Sequence, residues 1–341
     1  RFFSQHYNVS SFITAETITY DSNISLQELV RVHGHQPFVL TGASPASQWP
    51  ALTLWKDSNY LKRQVPLLQR VTTVRNQFPY TYAIDKRPLP RLAGRTTNYQ
   101  RAWWQHTRTT SMPFSEFLQR CREEHSTFYD YVQGWNHDFE KLSRDISPSS
   151  WMENLASDNG KDQPPRRQVW MGCRQHAGSH AHYDHSHNLI TQVIGTKRFI
   201  LSPPSQWNQF RDAPRISRFV SFSQKNFSRK PLLPSSLKVQ GSMEVILHPG
   251  ETLYLPPFWW HHVMALDKGM TIGTNIFVHD PRVQLRGLMK MPLPTEVHPE
   301  KKTVGDRNKN DEVGKRRSGS GRRERAAAET VIYLCQEILH D

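Results

Sequence analysis

Cysteine is scarce in this chain. Its three occurrences in 341 residues, Cys121, Cys173 and Cys335, are widely spaced, odd in number and never in a CxxC pair, which argues against a disulfide framework and a cysteine-based zinc motif. Long apolar runs are missing too. No stretch reaches the roughly 20 apolar residues that cross a bilayer as a helix, so a membrane role is not expected. Acidic residues are outnumbered, 30 against 44 Lys and Arg, for a net charge of +14; clustered cations gain affinity for nucleic acid by releasing phosphate counterions. Part of that excess lies in a polar tract over 301–325 with Lys315-Arg316-Arg317 and Arg322-Arg323, and such a run is more simply a solvated segment. The chain opens on Arg1 rather than Met, so residues are expected to precede it. No targeting signal is legible, and localisation is left open, leaning to cytoplasm or nucleus.

What the chain does hold is aromatic weight, 11% of residues with ten Trp, in a length that can bury a substantial core. Short β-prone runs at 37–42, 71–74, 80–84, 128–132, 168–172, 188–195, 197–201, 243–247, 252–255 and 271–278, punctuated by Gly and Pro, favour a barrel or jelly roll. The runs at 188–195 and 197–201, joined by Gly195-Thr196, are expected to pair as a hairpin. Ser25 and Glu28 form a capping-box pattern for a short helix. A second helix is expected from Ser111, with Phe114, Phe117 and Leu118 on one face. Trp49 and Trp55 are expected in the core, the polar stretch 136–167 at the surface, and the excursion 205–240 is long enough to serve as a lid. The organisation predicted is an N-terminal flanking segment over 1–110, a barrel over 111–290, a basic flexible linker over 291–324 and an amphipathic helix over 325–341. That helix has Val331, Leu334, Cys335 and Ile338 at helical spacing. It could pack on its own domain or form a homodimer contact.

Chemistry concentrates in Gly178-Ser179-His180-Ala181-His182-Tyr183-Asp184. His182 and Asp184 are two apart, so on a strand an imidazole and a carboxylate share one face. Far downstream, Pro249-Gly250-Glu251-Thr252-Leu253-Tyr254-Leu255-Pro256 leads to Trp259-Trp260-His261-His262, a strand-like run ending in paired histidines. Two His and one carboxylate make the facial triad of non-haem Fe(II) oxygenases. Alternation also puts His180 on the face of His182 as a competitor, with His185 and His187 opposite. A structural zinc site would need further paired ligands, which the sequence does not supply.

The run His182-Tyr183-Asp184, Asn188, Gln192-Val193-Ile194-Gly195-Thr196-Lys197-Arg198 and Pro203-Pro204, taken with the later run to His262, resembles the cupin-like JmjC-domain oxygenases. Within them it is most similar to the small hydroxylases typified by the asparaginyl hydroxylase acting on hypoxia-inducible factor. Gln36-Pro37-Phe38-Val39-Leu40-Thr41-Gly42 and Trp49-Pro50-Ala51 resemble that family's entry strand. The resemblance implies a mainly β fold with flanking helices, a double-stranded β-helix of the jelly-roll or cupin kind, using Fe(II), 2-oxoglutarate and O2. By the same resemblance His182, Asp184 and His261 are the metal ligands and Lys197 is the cation for the co-substrate's distal carboxylate. Ser179 stands where the family commonly has Thr, Tyr129 is a third contact with Tyr131 as its competitor, and Asn188 and Asn275 lie near iron and co-substrate.

The expected function is therefore a 2-oxoglutarate-dependent dioxygenase, hydroxylating a protein side chain and releasing succinate. A protein substrate is the main expected partner, and nucleic acid enters through the basic surface. RNA (tRNA) hydroxylation, histone demethylation and a non-catalytic cupin-like binding protein are the alternatives, since fold alone does not imply function.

Overall fold

Fourteen strands form among the residues described by this computed structural model, which are 13–75, 107–123, 128–146, 155, 166–210, 221, 223 and 240–278. Six precede the histidine motif: β1 (Ile13–Thr14), β2 (Glu16–Thr19), β3 (Phe38–Thr41), β4 (Leu67–Arg75), β5 (Thr107–Pro113) and β6 (Phe128–Trp135). Then come β7 (Arg166–Cys173), β8 (Gly178–His182), β9 (His187–Ile194), β10 (Lys197–Ser202), β11 (Met243–Leu247), β12 (Thr252–Leu255), β13 (Trp260–Ala265) and β14 (Met270–Val278). They build a five-stranded sheet, β1-β11-β10-β13-β8, and a nine-stranded sheet, β2-β3-β12-β9-β14-β7-β6-β4-β5. From β7 to β14 the chain changes sheet at every step except β10 to β11. This is the double-stranded β-helix of the jelly-roll class that the sequence led us to expect.

The same topology corrects the hairpin expectation. β9 pairs with β12 and β14, whereas β10 pairs with β11 and β13, so Gly195-Thr196 is a corner between sheets. Gly195 adopts φ +70° there, and the Asp267 carboxylate accepts from the Thr196 N–H. A period-two pattern marks both strands but says nothing about which sheet each joins.

Two cores result. Val39, Phe199, Leu201, Val245, Leu253, Leu255 and Val263 fill the space between the sheets, and their alternating neighbours Phe38, Leu40, Leu189 and Tyr254 face outward onto helices and Trp49, Trp55, Phe114 and Phe117. Covered on both sides, β3 reads Phe-Val-Leu without alternation, and each such side chain contributes roughly 1.5–3 kcal/mol by leaving water. The helix Leu26–His33 has Ser25 Oγ accepting from Glu28 N at 3.2 Å. The Glu28 carboxylate turns instead to Arg31, one turn on, so only half of the expected capping box forms. The helix Phe114–Arg122 buries Phe114, Phe117, Leu118 and Cys121 as its spacing requires.

Two further expectations are corrected. Cys121 and Cys173 form a disulfide, with their Cα atoms 4.8 Å apart and a sequence separation of 52. The helix docks beside β7, a contact that cysteine spacing alone could not reveal. The stretch 136–146 is not surface throughout: it forms helical turns that bury Phe139, Leu142 and Ile146, and a Cβ on Gly134 would stand only 1.7 Å from the Phe139 ring. Its buried Asp145 accepts from Trp55 Nε1 and the Tyr60 hydroxyl, each at 2.8 Å, so Trp55 is a core residue as expected. Among the described residues no helix is long and apolar enough to cross a membrane. The expected strand at 80–84, Trp151-Met152, most of 205–240, the tract 291–324 and the helix 325–341 lie outside the described residues.

Candidate metal centre

β8 and β13 are neighbours, and their register sets His182 opposite His261. The two rings stand 4.0 Å apart between centroids, and Asp184, just past the end of β8, brings Oδ2 within 3.5 Å of His261 Nε2. One ligand atom from each of the three residues lies within 4.8 Å of the others, a spacing suited to a single ion. Backbone carbonyls set the tautomers: His182 Nδ1 meets His180 O at 2.7 Å, and His261 Nδ1 meets Trp259 O at 3.1 Å. A carbonyl only accepts, so each neutral ring carries its proton on Nδ1 and its lone pair on Nε2. Burial, reinforced by the neighbouring His261, pushes the His182 pKa down to about 3 and keeps the ring neutral.

Asp184 is held at backbone and side chain. Its carbonyl accepts from the Phe258 N–H at 2.7 Å, and its Oδ2 accepts from Asn188 Nδ2 at 3.0 Å. Phe258 lies in the left-handed region at φ +69°, a conformation that costs a non-glycine residue on the order of 1–3 kcal/mol and is tolerated where the surroundings fix it.

A bulge decides what joins the centre. Across β8 and β13, His182 pairs with His261 but Ser179 pairs with Val263, so three residues of one strand oppose two of the other. Ser179 and His182 therefore share a face despite their odd spacing. The β10–β13 register adds Lys197, opposite Ala265, to that same face. His180, expected beside His182 by simple alternation, instead has Nε2 2.9 Å from the Ser223 carbonyl. His185 packs edge-on against Tyr183 and Phe258, His187 Nδ1 lies 2.8 Å from the Tyr254 hydroxyl, and His262 pairs with Ile200, facing away from His261.

Lys197 is 4% exposed, with Nζ 5.9 Å from the centre of the Tyr131 ring. Among the described residues no hydrogen bond or ion pair reaches Nζ, and burial pulls its pKa from 10.5 down to about 7. Gly273 keeps the space open: a Cβ there would lie 3.3 Å from Nζ and 3.0 Å from Gln192 Oε1. That amide oxygen is itself buried without a hydrogen-bond partner among the described residues. Of the two tyrosines, Tyr131 therefore stands beside Lys197, and burial pushes its hydroxyl pKa up. Tyr129, two residues away and half-buried, has its pKa raised by burial and partly offset by the charge of Arg174. Asn275 donates to Asn188 Oδ1 at 2.9 Å and accepts from Trp170 Nε1 at 2.8 Å.

Residues 27–282 match the cupin-like domain family. The chain belongs to that family. This cupin-like JmjC-domain protein is 27% identical over 235 residues to the Jumonji C domain-containing protein 5 of Drosophila melanogaster, covering 64% of this chain and 49% of that protein. It is 23% identical over 267 residues to the lysine-specific demethylase JMJ30 of Arabidopsis thaliana, covering 76% and 55%. It is 26% identical over 187 residues to the tRNA wybutosine-synthesizing protein 5 of Danio rerio, covering 49% and 52%. The chain thus spans about half the length of the curated relatives it matches.

JmjC family members are typically oxygenases that use Fe(II) and 2-oxoglutarate, and the donor set of this cupin-like domain suits a ferrous ion: two imidazole lone pairs and one carboxylate on one side. In such oxygenases the ion supplies the oxygen chemistry, coupled to decarboxylation of 2-oxoglutarate, and here His182, Asp184 and His261 would hold it. The protein's own part is to keep the His182 imidazole neutral and the carboxylate aimed. Sequence reasoning gave no site role to Trp170, Gln192 or Gly273. Each sits on a strand with a fixed alternation, but only the cross-strand register, Gly273 to both Gln192 and Trp170, brings them together.

Proposed function

We propose that this chain is an Fe(II)- and 2-oxoglutarate-dependent dioxygenase that hydroxylates a protein side chain, with His182, Asp184 and His261 holding the metal. Lys197 and Ser179 engage the distal carboxylate of the co-substrate, with Tyr129 or, closer to Lys197, Tyr131. Asn188 and Asn275 line the side between metal and co-substrate. The observation that carries this reading is Lys197 itself. A buried ammonium with no protein acceptor among the described residues is costly, and an anion arriving on the face shared with His182 and His261 removes that cost.

A second reading, action on RNA, draws on two observations. The chain carries a net charge of +14, and one relative is named for tRNA wybutosine synthesis. Phosphate contacts weaken steeply as salt rises, so a salt-dependent gel shift with tRNA separates this reading from protein hydroxylation.

The test is succinate formation by the iron-loaded chain, followed by a mass screen of peptides and RNA for a gain of one oxygen. His182→Ala and Asp184→Ala are expected to abolish succinate release. Succinate output unchanged in both variants would overturn the metal assignment, and none from the wild-type chain with any substrate would overturn the activity.

A further inference from the structure

Behind Asp184 a line of three side chains crosses the nine-stranded sheet. Trp170 on β7 donates its indole N–H to Asn275 Oδ1 on β14 at 2.8 Å, Asn275 Nδ2 donates to Asn188 Oδ1 on β9 at 2.9 Å, and Asn188 Nδ2 donates to Asp184 Oδ2 at 3.0 Å. The two ends differ in kind: an indole only donates and a carboxylate only accepts. Each carboxamide between them has nearly the same shape either way round. With a donor fixed at one end and an acceptor at the other, a single orientation of both amides makes all three bonds. Turning either one sets oxygen against oxygen or N–H against N–H. Asn188 is 3% and Asn275 2% exposed, so water has little access to repair such a mismatch.

We infer that Trp170 is a positioning residue for the metal centre: through Asn275 and Asn188 its indole N–H sets the direction of the amides and holds the Asp184 carboxylate in line with His182 and His261. The inference rests on the metal-site reading above. Filling space would not need the nitrogen. The Trp170 ring is only partly buried and lies against Tyr131 at 5.9 Å between centroids, a contact that a phenyl ring also makes. The indole N–H is the part spent on the relay.

Two substitutions separate positioning from packing. Trp170→Phe keeps an aromatic ring and removes the donor. Asn275→Asp keeps the size and the acceptor facing the indole, but it cannot donate to Asn188 once ionised. Both are tested in the full chain with Co(II) as the probe, read by its visible d–d absorption and by titration. Disturbing the groups that orient metal ligands typically weakens metal binding about 10–100-fold. We expect a loss in that range for Asn275→Asp, a smaller several-fold loss for Trp170→Phe, and a shifted d–d band in both. Wild-type affinity and an unshifted band in both variants would overturn the inference while leaving the metal centre standing, whatever happens to their melting temperatures. If Asn275→Asp does not fold, Trp170→Phe alone decides. A wild-type chain that takes up no Co(II) would overturn the metal centre and the relay with it.

Discussion

Replacing Lys197 by Met is expected to stabilise the protein without its co-substrate and to make it insensitive to 2-oxoglutarate. Methionine keeps an apolar stem of similar length in the barrel and carries no charge. In the wild-type fold, burial draws the Lys197 pKa from 10.5 to about 7. At about 1.4 kcal/mol for each factor of ten in proton affinity, the fold gives up about 4 kcal/mol at pH 7 relative to a neutral side chain of the same shape. In a domain of this size that corresponds to roughly 10 °C in melting temperature. The sign follows from proton counts. Between the folded pKa near 7 and the unfolded value of 10.5 the unfolded chain binds more protons, so wild-type stability climbs with pH across that window. The advantage of Lys197→Met is full below pH 7 and dwindles toward pH 10.5. Scanning fluorimetry of both proteins at about pH 6.5 and 9.5, with and without 2-oxoglutarate, reads both effects. A variant that melts below wild type at the lower pH, or that 2-oxoglutarate still stabilises, would refute the role given to the buried cation.

Two further outcomes follow from the same corner of the barrel. A carboxylate beside Lys197 favours the charged amine, so binding should take up a proton near pH 7 and weaken by up to about tenfold per pH unit above it. Calorimetry in buffers of different ionisation enthalpy checks this, and equal heats in both would count against it. Gly273→Val places bulk where a Cβ already meets Gln192 Oε1 at 3.0 Å and Lys197 Nζ at 3.3 Å. With an overpacking cost of about 1–3 kcal/mol, KM for 2-oxoglutarate is expected to rise about tenfold or more while Co(II) affinity is retained.

The parts of this fold that were legible in the sequence are those set by short-range rules. Alternation located β9, β10, β12 and β14 within a residue or two, and the two-residue spacing of His182 and Asp184, with His261 added by the family resemblance, named a group that the structure brings within ligand distance. What escaped depends on register and on contacts far apart in the chain. The bulge opposite His262 turns Ser179 toward the site and releases His180 from it, reversing what simple alternation gives for both. The corner at Gly195 looks like a hairpin turn until the partners of each strand are known. Cys121 and Cys173 meet because a helix docks on β7, and Trp170 reaches Asn275 because β7 and β14 pair. None of these juxtapositions leaves a local signature.

The bond from the Phe258 N–H to the Asp184 carbonyl uses backbone atoms alone. It ties the loop that delivers His261 to the segment that delivers Asp184, whatever side chains those positions carry. Bringing such distant points of a chain together costs entropy that grows with the logarithm of the intervening length, and here the pairing of β8 with β13 and the Phe258–Asp184 bond offset part of that cost. Small zinc domains differ, because their ion supplies the folding energy and chelation unfolds them. For this centre the expected outcome is the opposite: a chelator removes a bound ion and leaves the barrel standing, ready to be recharged with a different divalent ion.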